Sequence, residues 1–373
     1  MRLALVSIGS PYARASWSGI PYAIHQELQR CHDVHVIDTP RLDSVLNKLF
    51  AITNRTCFPA RSLTSLNYFG EKLRRELDRI APDYVVSINA PHKIAHVSRD
   101  WPTVYITDAL FGSVAGMYPH YSRMTKRTWQ QSNGVEELVL SRCKATLVAS
   151  AWARTDALRL YGDAASNVHM IPMGANIAAP QEPLYDNRAA RPLKLLFVGY
   201  DWERKGGEKV LATFDLIRRE TPDAELHIVG CRPIASSASR GITVYGPLMK
   251  GDPEHERILS RLYSQSSFFF MPSRQEIYGL VYCEACAFWL PPVATDVGGV
   301  GTIIQHFENG ILLDPDASPR EFATNILNVW RDKPRYEAMC RSARSAFDAN
   351  LSWKTWADRF DQLLQPKWEP VEC

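Results

Sequence analysis

Leu193-Lys194-Leu195-Leu196-Phe197-Val198-Gly199 is the stretch on which the architecture turns. It is a nearly unbroken apolar run closed by a glycine, the pattern of a strand buried on both faces of a parallel sheet. The same pattern opens the chain as Arg2-Leu3-Ala4-Leu5-Val6-Ser7-Ile8, which runs into Gly9-Ser10-Pro11. Each of these runs begins a series in which strands alternate with helices. After the first, strand-like runs fall at 33–38, 84–88, 104–106 and 145–149, with helical stretches from about Pro21 to Arg30, at 69–80 and at 135–140. After the second, strands are expected at 225–229, 242–245, 268–271 and 292–294, and helices at 207–219, 256–264 and 278–288. Alternation of this kind implies right-handed crossovers and a doubly wound sheet. Two such series predict an α/β protein of two Rossmann-like domains facing one another across a central cleft.

The expected boundaries follow. Residues 1–175 form the first Rossmann-like domain, and 176–192, loose and rich in Ala, Pro and polar residues, form a linker. Residues 193–351 form the second domain. In 352–366, Trp353, Trp356, Phe360, Leu363 and Leu364 recur at helical spacing behind Ser352 as a cap. A core-facing terminal helix is expected there, with the option of packing back on the first domain. A length of 373 residues suits two domains with their own cores. A net charge of +3 is too small to suggest a nucleic-acid binder, and no apolar run approaches the ~18 residues of a membrane span. The opening residues carry no small-residue cleavage site, and the eight cysteines are widely scattered. The expectation is a cytoplasmic protein with reduced thiols.

The chemistry concentrates where strands end. Ser273-Arg-Gln-Glu276-Ile-Tyr278-Gly279-Leu280-Val-Tyr-Cys-Glu284 follows the apolar run 268–271 and opens a helix. The amides of Tyr278, Gly279 and Leu280 are expected at the helix N-terminus, where they would suit an anion, and Gly279 would let a phosphate come close. Glu276 falls in the loop and Glu284 two turns into the helix, so a carboxylate could stand on each side of a ligand. Two solvated glutamates are the bland alternative. The second loop, Gly199-Tyr-Asp-Trp-Glu-Arg204-Lys205-Gly-Gly207, lies at the carboxyl edge of the sheet. There Arg204 and Lys205 could neutralise a diphosphate, or serve only as a charged turn.

These residues resemble the retaining glycosyltransferases of family 4, which have the GT-B fold. The matching stretches are Phe197-Val-Gly199 with Arg204-Lys205-Gly, the segment Glu276 to Glu284, Asp296-Val-Gly-Gly299-Val and Asn309-Gly-Ile-Leu-Leu313. In the first half they are Trp17-Ser-Gly19-Ile-Pro-Tyr, Trp152-Ala-Arg154 and Ile171-Pro-Met-Gly174-Ala-Asn. The resemblance implies that Lys205 and Arg204 hold the diphosphate of a nucleotide-sugar donor, Glu276 the sugar hydroxyls and Glu284 the ribose. It also implies that the loop at Gly19 closes over the phosphates. Three positions depart from the family pattern. Tyr200 stands where many members have arginine. Val300-Gly-Thr302 follows Gly298-Gly299 where a glutamate is usual. Where many members have a histidine near the sugar, the chain offers Asp108, or His92 in Asn89-Ala-Pro-His.

Positive side chains and a helix N-terminus aimed at a leaving diphosphate stabilise the charge that develops as the glycosyl bond breaks. A carboxylate nucleophile and front-side attack both remain open. The expected reaction is transfer of a hexose-type sugar, with retention, to a glycan, lipid-linked or small-molecule acceptor, without metal or cofactor. The alternatives are a nucleotide-sugar 2-epimerase and a catalytically silent sugar-nucleotide-binding subunit.

Two motifs are expected to be structural: Cys283-Glu-Ala-Cys286, inside a helix with no second pair, and Asp314-Pro-Asp316, in a turn. Residues 45–79 interleave Lys48, Arg55, Arg61, Lys72, Arg74 and Arg75 with Leu49, Phe50, Phe58, Leu66 and Phe69. An amphipathic helix with a solvated face is the preferred account, and peripheral contact with the inner face of a membrane the rival.

Overall fold

Six parallel strands make the first sheet: β1 (Arg2–Ser7), β2 (Asp33–Val36), β3 (Tyr84–Ile88), β4 (Thr103–Thr107), β5 (Ala145–Val148) and β6 (Val168–Met170), in the order β2-β1-β3-β4-β5-β6. Their crossovers carry α1 (Ile20–Cys31), α2 (Pro40–Ile52), α3 (Leu63–Ile80), α4 (Pro91–Ile94), α5 (Phe111–Met117), α6 (Lys126–Leu140) and α7 (Ala151–Tyr161). The second sheet is parallel as well: β7 (Lys194–Val198), β8 (Glu225–Val229), β9 (Ile242–Gly246), β10 (Phe268–Met271), β11 (Pro292–Thr295) and β12 (Ile311–Leu313), in the order β12-β11-β10-β7-β8-β9. With it go α8 (Gly207–Glu220), α9 (Pro253–Gln265), α10 (Leu280–Ala287), α11 (Pro319–Arg331) and α12 (Lys333–Asn350).

This computed structural model describes residues 1–118, 121, 123–182, 191–231 and 240–365. The chain divides into two units, one of Met1–Pro172 with the segment from Ala357 onward, the other Met173–Trp356. The last helix, α13 (Trp353–Leu364), straddles the second division. Trp353 Nε1 donates to Asn176 Oδ1 at 2.7 Å within the second unit, and Asp361 pairs with His32 at 2.7 Å within the first. Residues 183–190 of the expected linker and residue 366 at the end of the expected terminal helix lie outside the described residues.

The central strands are apolar and fully buried, as in β10, where Phe268, Phe269, Phe270 and Met271 are wholly inaccessible. The first core also encloses a polar cluster. Arg61 Nη1 reaches Glu136 Oε2 at 2.8 Å and the Ser132 carbonyl at 2.7 Å, while Tyr105 donates to Glu136 Oε1 at 2.8 Å. The aromatic rings of Phe58 and Phe111 flank the guanidinium.

Several expectations require correction. The helix expected at 69–80 begins at Leu63, because the Ser62 hydroxyl caps the amide of Ser65. The helix expected at 135–140 begins at Lys126, where Thr125 caps Thr128 in the same way. The segment 45–79 is not one amphipathic helix. Asn54 and Arg55 adopt left-handed φ values of 49° and 61°, ending α2, and the chain passes through a short 3-10 turn at Pro59–Arg61 before α3 begins. The strands β6 and β12 were not anticipated, being only three residues long.

Candidate functional site

In the second sheet β7 and β10 are neighbours, with Phe268 opposite Leu195 and Phe269 opposite Leu196. From β7 the order runs outward through β8 and β9, and from β10 through β11 and β12. Chain order therefore reverses between β7 and β10, and a crevice outside the carboxyl ends of strands at such a point is where α/β sheets take ligands. The loop after β7 carries Arg204 and Lys205, and the loop after β10 carries Glu276. Three contacts sew the loops together. The amide of Arg274 donates to the Arg204 carbonyl at 2.8 Å, Arg204 Nη1 donates to the Gln275 carbonyl at 3.1 Å, and Lys205 Nζ forms an ion pair with Glu276 Oε2.

That pair is nearly out of water, with the lysine side chain 11% and the glutamate 8% exposed. Burial pushes the Lys205 ammonium below the ordinary 10.5 of a lysine, even with the Glu276 carboxylate pulling the other way. The turn leading into α8 permits the approach because of its glycines. Gly206 has φ +77°, and a Cβ there would strike the carbonyl of Pro272. A Cβ on Gly199 would sit 3.1 Å from Cγ of Lys205. Trp202, not anticipated from the sequence, underpins the turn. Its ring lies 5.6 Å from that of Phe197, and its Nε1 donates to Glu208 Oε1 at 2.8 Å. Arg204 also meets Asp201 at 3.3 Å. Tyr200 is exposed, and its hydroxyl donates to the Leu248 carbonyl at 3.3 Å.

Gly279 caps α10 with φ +91°, and a Cβ there would lie 2.5 Å from the Tyr282 ring. Helix α10 therefore begins at Leu280, two residues later than expected, and the amides of its first turn start there. Tyr278 is not part of that turn: it is buried, and its hydroxyl donates to the Met173 carbonyl at 2.9 Å. Gly279 and Leu280 remain half-buried.

Glu284 stands one turn, not two, inside α10 and is completely buried. Its Oε1 forms an ion pair with Lys250, and its Oε2 accepts from the Tyr263 hydroxyl at 3.1 Å. Neither partner was anticipated. Lys250 comes from the loop after β9 and Tyr263 from α9, more than twenty residues away in both cases, and no local spacing points to either. Each carboxylate of the segment thus carries an ammonium, and each pair can open to polar hydroxyls or phosphate oxygens only by exchanging one ionic contact for another.

The remaining expected residues lie in the first unit. Trp17, Ser18 and Gly19 take φ values of 40°, 58° and 86° in succession before α1. Strain of about 1–3 kcal/mol per non-glycine residue in such conformations is concentrated at ligand loops. Asp108 follows β4, half-buried, and accepts from the amide of Ala109 at 2.8 Å. His92 lies in α4, buried edge-on to Phe69 at 5.4 Å, and burial holds its imidazole well below the usual 6.5. It is therefore a neutral ring at pH 7.

Cys283 and Cys286 are buried within α10, and the Cys283 thiol points at the Met173 carbonyl, 3.7 Å away. Asp314 accepts from the Asp316 amide at 2.8 Å, closing a turn. Among the described residues, no three His, Cys, Asp or Glu side chains are grouped to hold a metal.

Two parallel doubly wound sheets with a loop-borne cation and carboxylate at the switch point of the second sheet define a class, the GT-B fold. Solved structures agree. The sucrose-phosphate synthase of Thermosynechococcus elongatus superposes with a TM-score of 0.70 at 19% identity, over 97% of this chain and 98% of that one. The Anabaena protein HepE in complex with UDP gives 0.67 at 13% identity, over 98% and 99%. The sequence carries the family. Residues 22–179 match the model of Glycosyltransferase Family 4 and residues 192–332 that of Glycosyl transferases group 1, together well over half the chain. The chain belongs to the group 1, family 4 glycosyltransferases. Among its relatives, the D-inositol 3-phosphate glycosyltransferase of Jonesia denitrificans is 29% identical over 231 residues, 56% of this chain and 54% of that protein. The glycogen synthase of Mycobacterium tuberculosis is 25% identical over 242 residues, 63% of this chain and 57% of that protein. The chain spans about half the length of the curated relatives it matches.

Proposed function

We propose that the protein transfers a hexose-type sugar, with retained configuration and without a metal ion or other cofactor, from a nucleoside-diphosphate sugar to a glycan, lipid-linked or small-molecule acceptor in the cytoplasm. The observation that carries this reading is the near-buried Lys205–Glu276 pair at the switch point of the second sheet. Lys205, helped by Arg204, neutralises the leaving diphosphate beside the amides at Gly279 and Leu280. Glu276 takes the sugar hydroxyls, and Glu284 the ribose once Lys250 yields. Gly199 keeps the first loop slim enough for the phosphates to approach, and buried Tyr278 fixes the entry to α10. By the family resemblance, the loop at Gly19 and the carboxylate of Asp108, both in the first unit, are the groups assigned to the donor phosphates and the sugar. One neighbour in fold lends support: HepE was solved with UDP and with UDP-glucose.

The test is acceptor-dependent release of nucleoside diphosphate from a panel of UDP-, GDP-, ADP- and TDP-sugars. Lys205→Ala is expected to lower the rate about 100–1000-fold, the usual consequence of losing one donor aimed at developing negative charge. Release that needs no acceptor and yields an epimerised sugar would point to the 2-epimerase instead. Binding with no release from any donor would point to a silent subunit. A Lys205→Ala variant as fast as the parent would remove the site assignment.

A further inference from the structure

The two helices of the basic segment 45–79 bury very different amounts of their apolar surface. In α3, Leu66, Phe69, Leu73, Leu77 and Ile80 all face the core. In α2 Leu46 is the one buried residue of thirteen, while Val45, Leu49 and Ile52 stay exposed, Ile52 at 78%. At 100° per residue, Arg41, Val45, Lys48, Leu49 and Ile52 fall within about 100° of arc. The acid of α2, Asp43, is turned away from that stripe and paired with the buried Lys93 at 2.7 Å.

Apart from Asp38 and Asp43, which line a pocket with Lys48 on the flank of α2, the sequence around the stripe is basic. Residues 44–70 contain no Asp or Glu, and neither do residues 109–135. The two acid-free stretches are joined in space: the amide of Thr125 donates to the Thr56 carbonyl at 3.1 Å, and Arg123 Nη1 donates to Asn54 Oδ1 at 2.8 Å. Lys48 and Arg55 are thereby brought onto the same side of the unit as Arg123, Lys126 and Arg127, all exposed, with half-exposed Trp129 one turn into α6. Arg61, the other cation of the stretch, is spent on buried Glu136. A protein that merely needed solubility would mix signs here and would not leave three aliphatic side chains on one arc.

We infer that the outer face of α2, with the start of α6, docks on an anionic lipid surface. Val45, Leu49 and Ile52 enter the headgroup boundary while Lys48, Arg55, Arg123, Lys126 and Arg127 meet the lipid charges. An apolar stripe within a basic field is the composition of an interfacial helix. A nucleic acid or acidic polysaccharide would answer the charge and leave the stripe in water. Among the described residues no helix is long and apolar enough to cross a membrane, so the contact is one of surface docking.

The test is co-sedimentation of the full chain with vesicles of phosphatidylcholine alone and of phosphatidylcholine with 30% phosphatidylglycerol, at low and at 0.5 M salt. Binding is expected to the anionic vesicles only, and to weaken with salt. Each basic residue near such a surface is worth about five-fold in affinity, so Lys48→Glu with Lys126→Glu and Arg127→Glu should weaken binding by at least about 100-fold. Val45→Ser with Leu49→Ser and Ile52→Ser should abolish binding at 0.5 M salt. These positions are exposed, and unchanged far-UV circular dichroism and melting temperature confirm that the variants fold. No binding of the parent to anionic vesicles overturns the proposal. So does parent-level binding by the serine variant, and so does equal affinity for heparin or duplex DNA that the serine changes leave untouched.

Discussion

Replacing Glu276 with Gln should expose what the buried pair at the switch point costs and holds. The change keeps volume and removes the charge facing Lys205, leaving an ammonium that is 11% exposed without its counter-ion. Breaking a buried pair from one side typically costs about 3–5 kcal/mol, and since Gln still offers a carbonyl, the lower end applies, about 3 kcal/mol. For a unit of this size that is a fall in melting temperature of about 6–12 °C. The pH dependence carries the stronger test. Burial already holds the lysine below 10.5, and the carboxylate is the leading influence raising it. Without that carboxylate the lysine drops further, so between its folded value and 10.5 the unfolded chain binds more protons, and stability must rise with pH. The deficit of the variant is therefore largest near pH 6.5 and shrinks on going to pH 9.5. Differential scanning calorimetry at pH 6.5, 8 and 9.5 reads it directly. The double variant Glu276→Gln with Lys205→Met should recover most of the loss, because no charge then remains to bury. A deficit below 1 kcal/mol at pH 6.5, a deficit independent of pH, or a double variant as weak as the sum of its singles would refute the coupling.

Three further outcomes can be measured. Gly206→Ala forces a Cβ into the Pro272 carbonyl at a φ of +77°, so a urea midpoint shift equivalent to at least about 2 kcal/mol is expected, with loss of donor binding. Arg61→Met leaves Glu136, wholly buried, with Tyr105 and no cation, and should destabilise the first unit by about 3–5 kcal/mol in chemical denaturation, without affecting donor affinity. Because the free Lys205 ammonium is lost below the ordinary lysine range, affinity for a nucleoside diphosphate, followed by calorimetric titration, should begin to weaken with rising pH before pH 10.5, and a Lys205→Met variant should bind weakly with no such dependence.

What the sequence disclosed and what it hid follow from the range of the interactions involved. Strands 84–88, 225–229 and 268–271 were placed to the residue because each is a short run dominated by buried apolar side chains, with Ser87, Glu225 and His227 as the polar exceptions, a property that each run carries within itself. The starts of α3 and α6 were missed because their caps, Ser62 and Thr125, precede first turns, Leu63-Thr-Ser-Leu66 and Lys126-Arg-Thr-Trp129, that are too mixed to show a helical stripe. At the site, the loops bearing Lys205 and Glu276 were legible from strand, glycine and charge in sequence order, though their mutual contact was not: it requires β7 beside β10, a pairing across some seventy residues. Lys250 and Tyr263 were invisible for the same reason, since a side chain that satisfies a buried carboxylate needs no local partner. The segment 45–79 is the instructive case. Its alternation of basic and apolar residues favours a solvated helix over a docking helix, and only the burial of one half and exposure of the other separates them. Leu66, Phe69 and Leu73 find a core to enter, whereas Val45, Leu49 and Ile52 find none within their unit. Apolar side chains held in water along one helical arc lower the protein's free energy only by finding another phase, and the surrounding positive field selects which phase that is.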